Sequence, residues 1–190
     1  GMQDYHSLES VGVKLWDGHE GGQRWEVFRI GNESHSTLTV DGMRHAVKRF
    51  VPLTEVWKEK KRKGARLDMS SLFGDSVAYA ERDVWLDRKN YLHVEDRISA
   101  SGRDIDVRWT MMTPAEAEII SEKEIRLEKN GHRMVLRFES SGLEALPFVL
   151  PDDPPHEYDA PNPGTCRVGF TVTVPAGAEA VLMASLVPVR

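Results

Sequence analysis

Alternation with a period of two constrains this chain more than any other feature. In Val168-Gly169-Phe170-Thr171-Val172-Thr173-Val174, residues Val168, Phe170, Val172 and Val174 fall on one side. In Asp106–Met111 the shared face carries Val107, Trp109 and Met111, and Arg133–Phe138 alternates with one slip. Successive side chains of an extended strand point to opposite faces, so such stretches are read as half-buried strands of an antiparallel sheet. Ala180–Val187 is more continuously apolar and reads as a more buried strand.

Earlier strand candidates are Gly12–Trp16, Gln23–Ile30, Ser36–Val40, Ala46–Phe50, Leu53–Glu59, Arg66–Ser70, Asp75–Leu86 and Tyr91–Ile98. Turn dipeptides separate many of them, among them Asp17-Gly18, Asp41-Gly42, Asn130-Gly131 and Ala176-Gly177. The best helical window is the short Thr113–Glu118, with Thr113 as cap and Pro114 at the first position; Ile119-Ile120 already reads as strand. A proline-rich segment from Leu150 to Gly164 interrupts the rhythm and is expected to be a surface excursion outside the sheets. The predicted fold class is all-β: one many-stranded antiparallel β-sandwich over residues 1–190.

Composition removes several function classes. A net charge of -5 gives no global attraction to nucleic acid or to an anionic membrane, so polyanion binding needs a local basic patch. Cys166 is the sole cysteine, which excludes an intrachain disulfide and a thiolate-rich metal site. No apolar run is long enough to span a bilayer, and the first residues carry no secretory signal pattern.

His35 lies in Gly31-Asn32-Glu33-Ser34-His35-Ser36-Thr37, at the mouth of a strand. On local grounds it is either a structural residue or a ligand, and no His-x-His or His-x₃-His pair accompanies it. His45, across the Asp41-Gly42 turn, could approach it if the two segments form a hairpin. Lys58, Lys60, Lys61, Arg62, Lys63 and Arg66 form a basic run at an expected hairpin tip. They serve either an anionic glycan or a guarded sheet edge. The acidic loop of Asp152, Asp153, Glu157 and Asp159 hints at calcium but has no EF-hand spacing. Trp16, Trp25, Trp57, Trp85 and Trp109 could stack on sugars, although most are expected in the core.

The stretch RWEVFRIGNESHSTLTVDGMRH, residues 24–45, resembles a segment of the heparinase II/III-type polysaccharide lyases. There the chain reads Phe-Arg, a spacer, then His-[Asn/Ser]-Thr-x-x-[Val/Ile]-[Asp/Asn]-Gly. Residues 83–114 are similar to the hairpin and tryptophan-bearing strand that follow in that family. The resemblance concerns its C-terminal β-sandwich, which an upstream helical toroid precedes. It implies an acidic, uronate-containing polysaccharide such as a glycosaminoglycan as partner, β-elimination as chemistry, and a periplasmic or secreted location.

By the same match His35 is a metal residue, the third ligand of a zinc whose other ligands lie upstream. Tyr5 is a catalytic phenol, and Arg29 is a substrate-binding cation. Alternatives for the last two are a fraying N-terminal residue and an arginine ion-paired with Glu26 or Glu33. β-Elimination needs a base for the C5 proton, neutralisation of the uronate carboxylate and an acid for the leaving oxygen. The chain by itself is therefore expected not to catalyse. A non-catalytic carbohydrate-binding or interaction module is the other reading.

Overall fold

The alternating stretches form strands because each can bury one face and pair its backbone on both sides. The computed structural model describes residues 3–189. After a short helix α1 (Tyr5–Ser10), β1 (Leu38–Val40), β2 (Leu53–Lys58), β3 (Lys63–Asp68), β4 (Val77–Leu86), β5 (Leu92–Ala100) and β6 (Ile105–Thr113) follow in the chain. The remaining strands are β7 (Glu116–Ser121), β8 (Glu124–Lys129), β9 (His132–Glu139), β10 (Leu146–Pro151), β11 (Cys166–Val174) and β12 (Glu179–Pro188). Two sheets face each other, with orders β1-β6-β11-β10 and β2-β3-β4-β5-β12-β9-β8-β7. All the pairings are antiparallel, and the core between the sheets is built on Phe170, which stacks on Phe138 at 4.4 Å and on Trp109 at 5.7 Å. The antiparallel sandwich expected from the sequence is the observed architecture.

Several local expectations are corrected. No helix forms over Thr113–Glu118: β6 runs to Thr113 and β7 begins at Glu116, so the chain changes sheet at Pro114. Thr113 does cap, but it caps a turn, its Oγ1 accepting from the Ala115 amide at 3.1 Å. Ala115 and Ala117 pack on the core while Glu116 and Glu118 are exposed, a period-two face that outweighs the helix propensity of alanine and glutamate. Gly12–Trp16, Gln23–Ile30 and Ala46–Phe50 join neither sheet. Leu8, Val13, Leu15 and Val27 instead form a separate apolar cluster with Ile30 and Tyr158, so their alternation reflects packing of a folded N-terminal layer. Leu150-Pro151 belongs to β10, contrary to the expected excursion. β10 is an edge strand paired only with β11, where a proline without an N–H is tolerated.

Of the five tryptophans, Trp57 and Trp109 are buried, Trp25 and Trp85 are half-buried, and Trp16 is 69% exposed. The core therefore takes fewer of them than the pattern suggested.

Candidate functional site

β1 lies at the edge of the small sheet, and the chain on either side of it turns toward the same flank. Before β1, residues 24–35 arrive through 3-10 turns at Gln23–Glu26 and Asn32–Ser34. After β1, Asp41 and Gly42 take φ of 51° and 66°, and the Met43 amide donates to the Val40 carbonyl at 2.9 Å. This is the tight turn that Asp-Gly favours. No hairpin follows, because β1 has β6 as its strand partner and the chain leaves the sheet. The Asp41 side chain also ties this turn to the start of β6. Its Oδ1 accepts from the Asp106 amide at 2.9 Å and its Oδ2 from Arg103 at 2.5 Å. Burial pushes its carboxyl pKa up, but these two bonds outweigh that and hold it below the ordinary value.

Between the two flanking segments lies a cleft of about 390 Å³. His35, His45, Trp25, Arg44, Lys48 and Arg49 are among its lining residues. Asn32 joins its walls and is buried. Its Nδ2 donates to Thr39 Oγ1 at 3.1 Å and to the Met43 carbonyl at 3.3 Å, and its Oδ1 accepts from the His45 amide at 3.1 Å. Asn32→Ala removes all three bonds and strands their partners. An expected loss of about 2–3 kcal/mol would appear as a lower urea midpoint. A loss under about 0.5 kcal/mol would show that water replaces the amide.

The two histidines meet in the cleft without a hairpin. His45 Nε2 lies 2.8 Å from the Leu38 carbonyl, which only accepts, so that nitrogen carries the proton. Burial, and after it the charge of Arg82 and the neighbouring His35 ring, lowers the His45 pKa despite that bond. The ring is therefore neutral at neutral pH, with Nδ1 unprotonated. His35 is exposed, and its Nε2 lies 3.3 Å from the Arg29 carbonyl. Ser36, next in the chain, is held from both sides. Its Oγ accepts from the Met112 amide at 3.0 Å, and its carbonyl accepts from Arg82 at 3.3 Å.

Tyr5 and Arg29 do not line this cleft. Tyr5 is exposed on α1, its ring edge-on to Trp16 at 5.9 Å. Arg29 lies outside any strand and pairs with neither Glu26 nor Glu33. Its guanidinium donates to the carbonyls of Ala160 and Pro161, at 3.3 and 2.8 Å, tying the proline-rich loop to the N-terminal layer.

The basic run does sit at the β2–β3 hairpin tip, but Arg62 and Arg66 turn back onto the fully buried Asp83 at 2.8 and 2.7 Å. In the acidic loop, Asp152 bonds Asn162, and Asp159 accepts from the Phe28 amide at 3.0 Å. Among the described residues no three His, Cys, Asp or Glu side chains converge as a metal site. His35 and His45 alone do not meet the donor set of a zinc site, which needs three or four ligands. Sequence reasoning named Trp25 as a possible sugar-stacking residue but missed Asn32, Arg44, Lys48 and Arg49, although the run Arg44-His45-Ala46-Val47-Lys48-Arg49 directly after a turn was a readable signal.

A family model described as heparinase II/III-like, C-terminal, matches residues 1–174. No curated protein sequence matches the chain. A heparinase III structure superposes with a TM-score of 0.64 at 14% identity, covering 92% of this chain and 27% of that one. Another heparinase III gives 0.64 at 15% identity, over 88% of this chain and 25% of that one. The heparan sulfate lyase HepC from Pedobacter heparinus gives 0.60 at 15%, over 93% and 27%. At such identities the likeness is one of fold, and the chain spans about a quarter of the length of these structures. With the family model matching from residue 1 to residue 174, the chain belongs to the heparinase II/III-like, C-terminal family.

Proposed function

We propose that this chain is the β-sandwich portion of a polysaccharide lyase acting on uronate-containing glycans, and that the His35–His45 cleft receives the acidic sugar. The observation that carries the reading is the cationic lining. Arg44, Lys48 and Arg49 converge on one cleft, and none of them is ion-paired among the described residues. One carboxylate approaches, Glu20, which accepts from the Val47 amide at 3.1 Å.

In a β-elimination the uronate carboxylate must be neutralised before its neighbouring C5 proton becomes acidic, and guanidinium groups do this through paired hydrogen bonds. Arg44 and Arg49 take that role here, where the sequence pointed to Arg29. His45, neutral and with Nδ1 unprotonated, is suited to hold a proton, and His35 stands beside it. Zinc on His35 and acid catalysis by Tyr5 both require groups supplied from outside this chain, and no step is routed through a metal. The rest of such a lyase, a helical toroid in the related enzymes, would close the groove. A periplasmic or secreted location accords with such a polymer.

Binding of heparin oligosaccharides, followed by calorimetry at two salt concentrations, tests the reading. Arg44→Glu with Arg49→Glu is expected to weaken binding at least tenfold and to reduce its salt dependence. Unchanged affinity would overturn the placement of the site. A non-catalytic binding module would pass this test too. It parts from the lyase reading when the complete protein is assayed for the ultraviolet absorbance of an unsaturated uronate product.

A further inference from the structure

The outer face of the eight-stranded sheet carries a straight line of side chains that neither the core nor the cleft uses. Register places Trp57 of β2, Trp85 of β4, His93 of β5, Ser185 of β12, Arg137 of β9 and Glu124 of β8 in one row across the strands, with Gly64 of β3 between the two indoles. At a strand spacing of about 4.8 Å the row is about 29 Å long.

Its first half is closed. A Cβ on Gly64 would lie 2.0 Å from the Val84 carbonyl oxygen, so β3 presents no side chain there. The Arg62 guanidinium covers the gap, 3.6 Å from the Trp57 ring centroid and 4.5 Å from that of Trp85. Trp85 in turn stacks on His93 at 5.2 Å. His93 is fixed from two more directions. Its Nδ1 lies 2.8 Å from Ser185 Oγ, and its Nε2 lies 3.5 Å from an Asp87 carboxylate oxygen. With the proton on Nε2 facing Asp87, Nδ1 accepts from the serine hydroxyl.

The second half is open. From His93 to Glu124 a groove of about 450 Å³ crosses β5, β12, β9 and β8. Met183, Val187 and Phe138 lend it apolar surface, while Ser185, Arg137, Glu139 and Glu124 supply hydrogen-bonding groups, with Lys123 beside Glu124. Arg137 and Lys123 are balanced by Glu124 and Glu139, and Arg137 donates to Glu124 at 2.7 Å. The cleft has the opposite character, with three cations. A charge-balanced groove in which polar side chains border an apolar surface matches a ligand that has many hydroxyls, apolar C–H faces and no net charge. It does not match a sulfated chain, which would need an excess of cations.

We infer that this groove is a second carbohydrate site, separate from the cleft, which holds an uncharged polysaccharide segment across strands β5, β12, β9 and β8. The four strands span about 14 Å, room for two or three sugar rings. The inference does not rest on the lyase reading.

Affinity electrophoresis in native gels tests it, with galactomannan, xyloglucan, mixed-linkage β-glucan and pullulan as neutral probes and heparin in parallel. At least one neutral probe is expected to retard the protein. Arg137→Ala with Glu139→Ala, both at exposed positions, should weaken that retardation at least tenfold. Ser185→Trp, which fills the groove, should do the same, and circular dichroism of each variant checks the fold. Arg44→Glu with Arg49→Glu should leave neutral binding intact while heparin retardation falls. Failure of all four neutral probes, or retardation indifferent to the groove substitutions, overturns the inference. So does a groove that proves to bury a second copy, seen as self-association in sedimentation that the same substitutions abolish.

Discussion

Asp96→Ala is expected to lower stability by about 3–5 kcal/mol, the range for removing one partner of a buried ion pair. Asp96 is fully buried on β5, and Arg82, directly opposite it on β4, has a side chain only 11% exposed. Both carboxylate oxygens are used, Oδ1 accepting from Nε at 2.7 Å and Oδ2 from Nη2 at 2.9 Å. Ala80 and Ile98, two residues away on the same strands, belong to the core, so the pair stands between the sheets and not in water. Alanine leaves a guanidinium with little access to solvent and no counter-charge, which is the source of the cost. Denaturant unfolding measures it, and a loss under about 1 kcal/mol would mean that the pair is solvated. The paired change Asp96→Leu with Arg82→Met should recover most of the stability, because two apolar side chains of similar size carry no desolvation cost. It should not recover heparin binding, since Arg82 also donates to the Ser36 carbonyl beside His35.

Legibility in the sequence followed the type of burial. β6, β9, β11 and β12 each carry a run of core residues, and their residues alternate or cluster accordingly. β8 was missed, and β7 was read as strand only at Ile119-Ile120, because Glu116, Glu118, Glu124, Glu128 and Lys129 dominate them. Their inward residues Ala117, Ile125 and Leu127 are too few to announce a strand. The N-terminal layer failed differently. Val13 and Leu15 alternate as a strand would, yet they pack into a cluster that has no ladder to join.

At the candidate cleft, the motif drew attention to His35, which lines it, but not to Asn32, because its three partners come from positions 39, 43 and 45 and meet only after the Asp41-Gly42 turn. The cations were half legible. The run at 58–66 is the denser one in the sequence, yet the fold spends its Arg62 and Arg66 on Asp83, leaving Arg44, Lys48 and Arg49 to line the cleft.

Gly169→Ala is expected to cost about 3 kcal/mol or more, and to do so through the backbone of a neighbouring strand. β11 is a central strand between β6 and β10, with Gly169 opposite Thr110 and Phe148. A Cβ there would lie 1.9 Å from the Trp109 carbonyl oxygen, a separation that no rotamer relieves because the obstacle is main chain. β6 and β11 must move apart, which loosens the ladder and displaces Trp109 from its stack on Phe170. The disturbance reaches the cleft as well. The Thr110 amide donates to the Thr37 carbonyl at 3.1 Å, and Thr37 lines the cleft two residues after His35. Gly131→Ala supplies the contrast. Gly131 has φ of 75° with nothing within 4 Å of a built Cβ, so the cost there is conformational and about 1–2 kcal/mol. Unfolding midpoints of the two variants, read with heparin affinity, separate the mechanisms: only Gly169→Ala should also weaken binding. Equal midpoints would show that β6 and β11 yield to the methyl group, and that the close approach at Gly169 contributes little to holding the small sheet together.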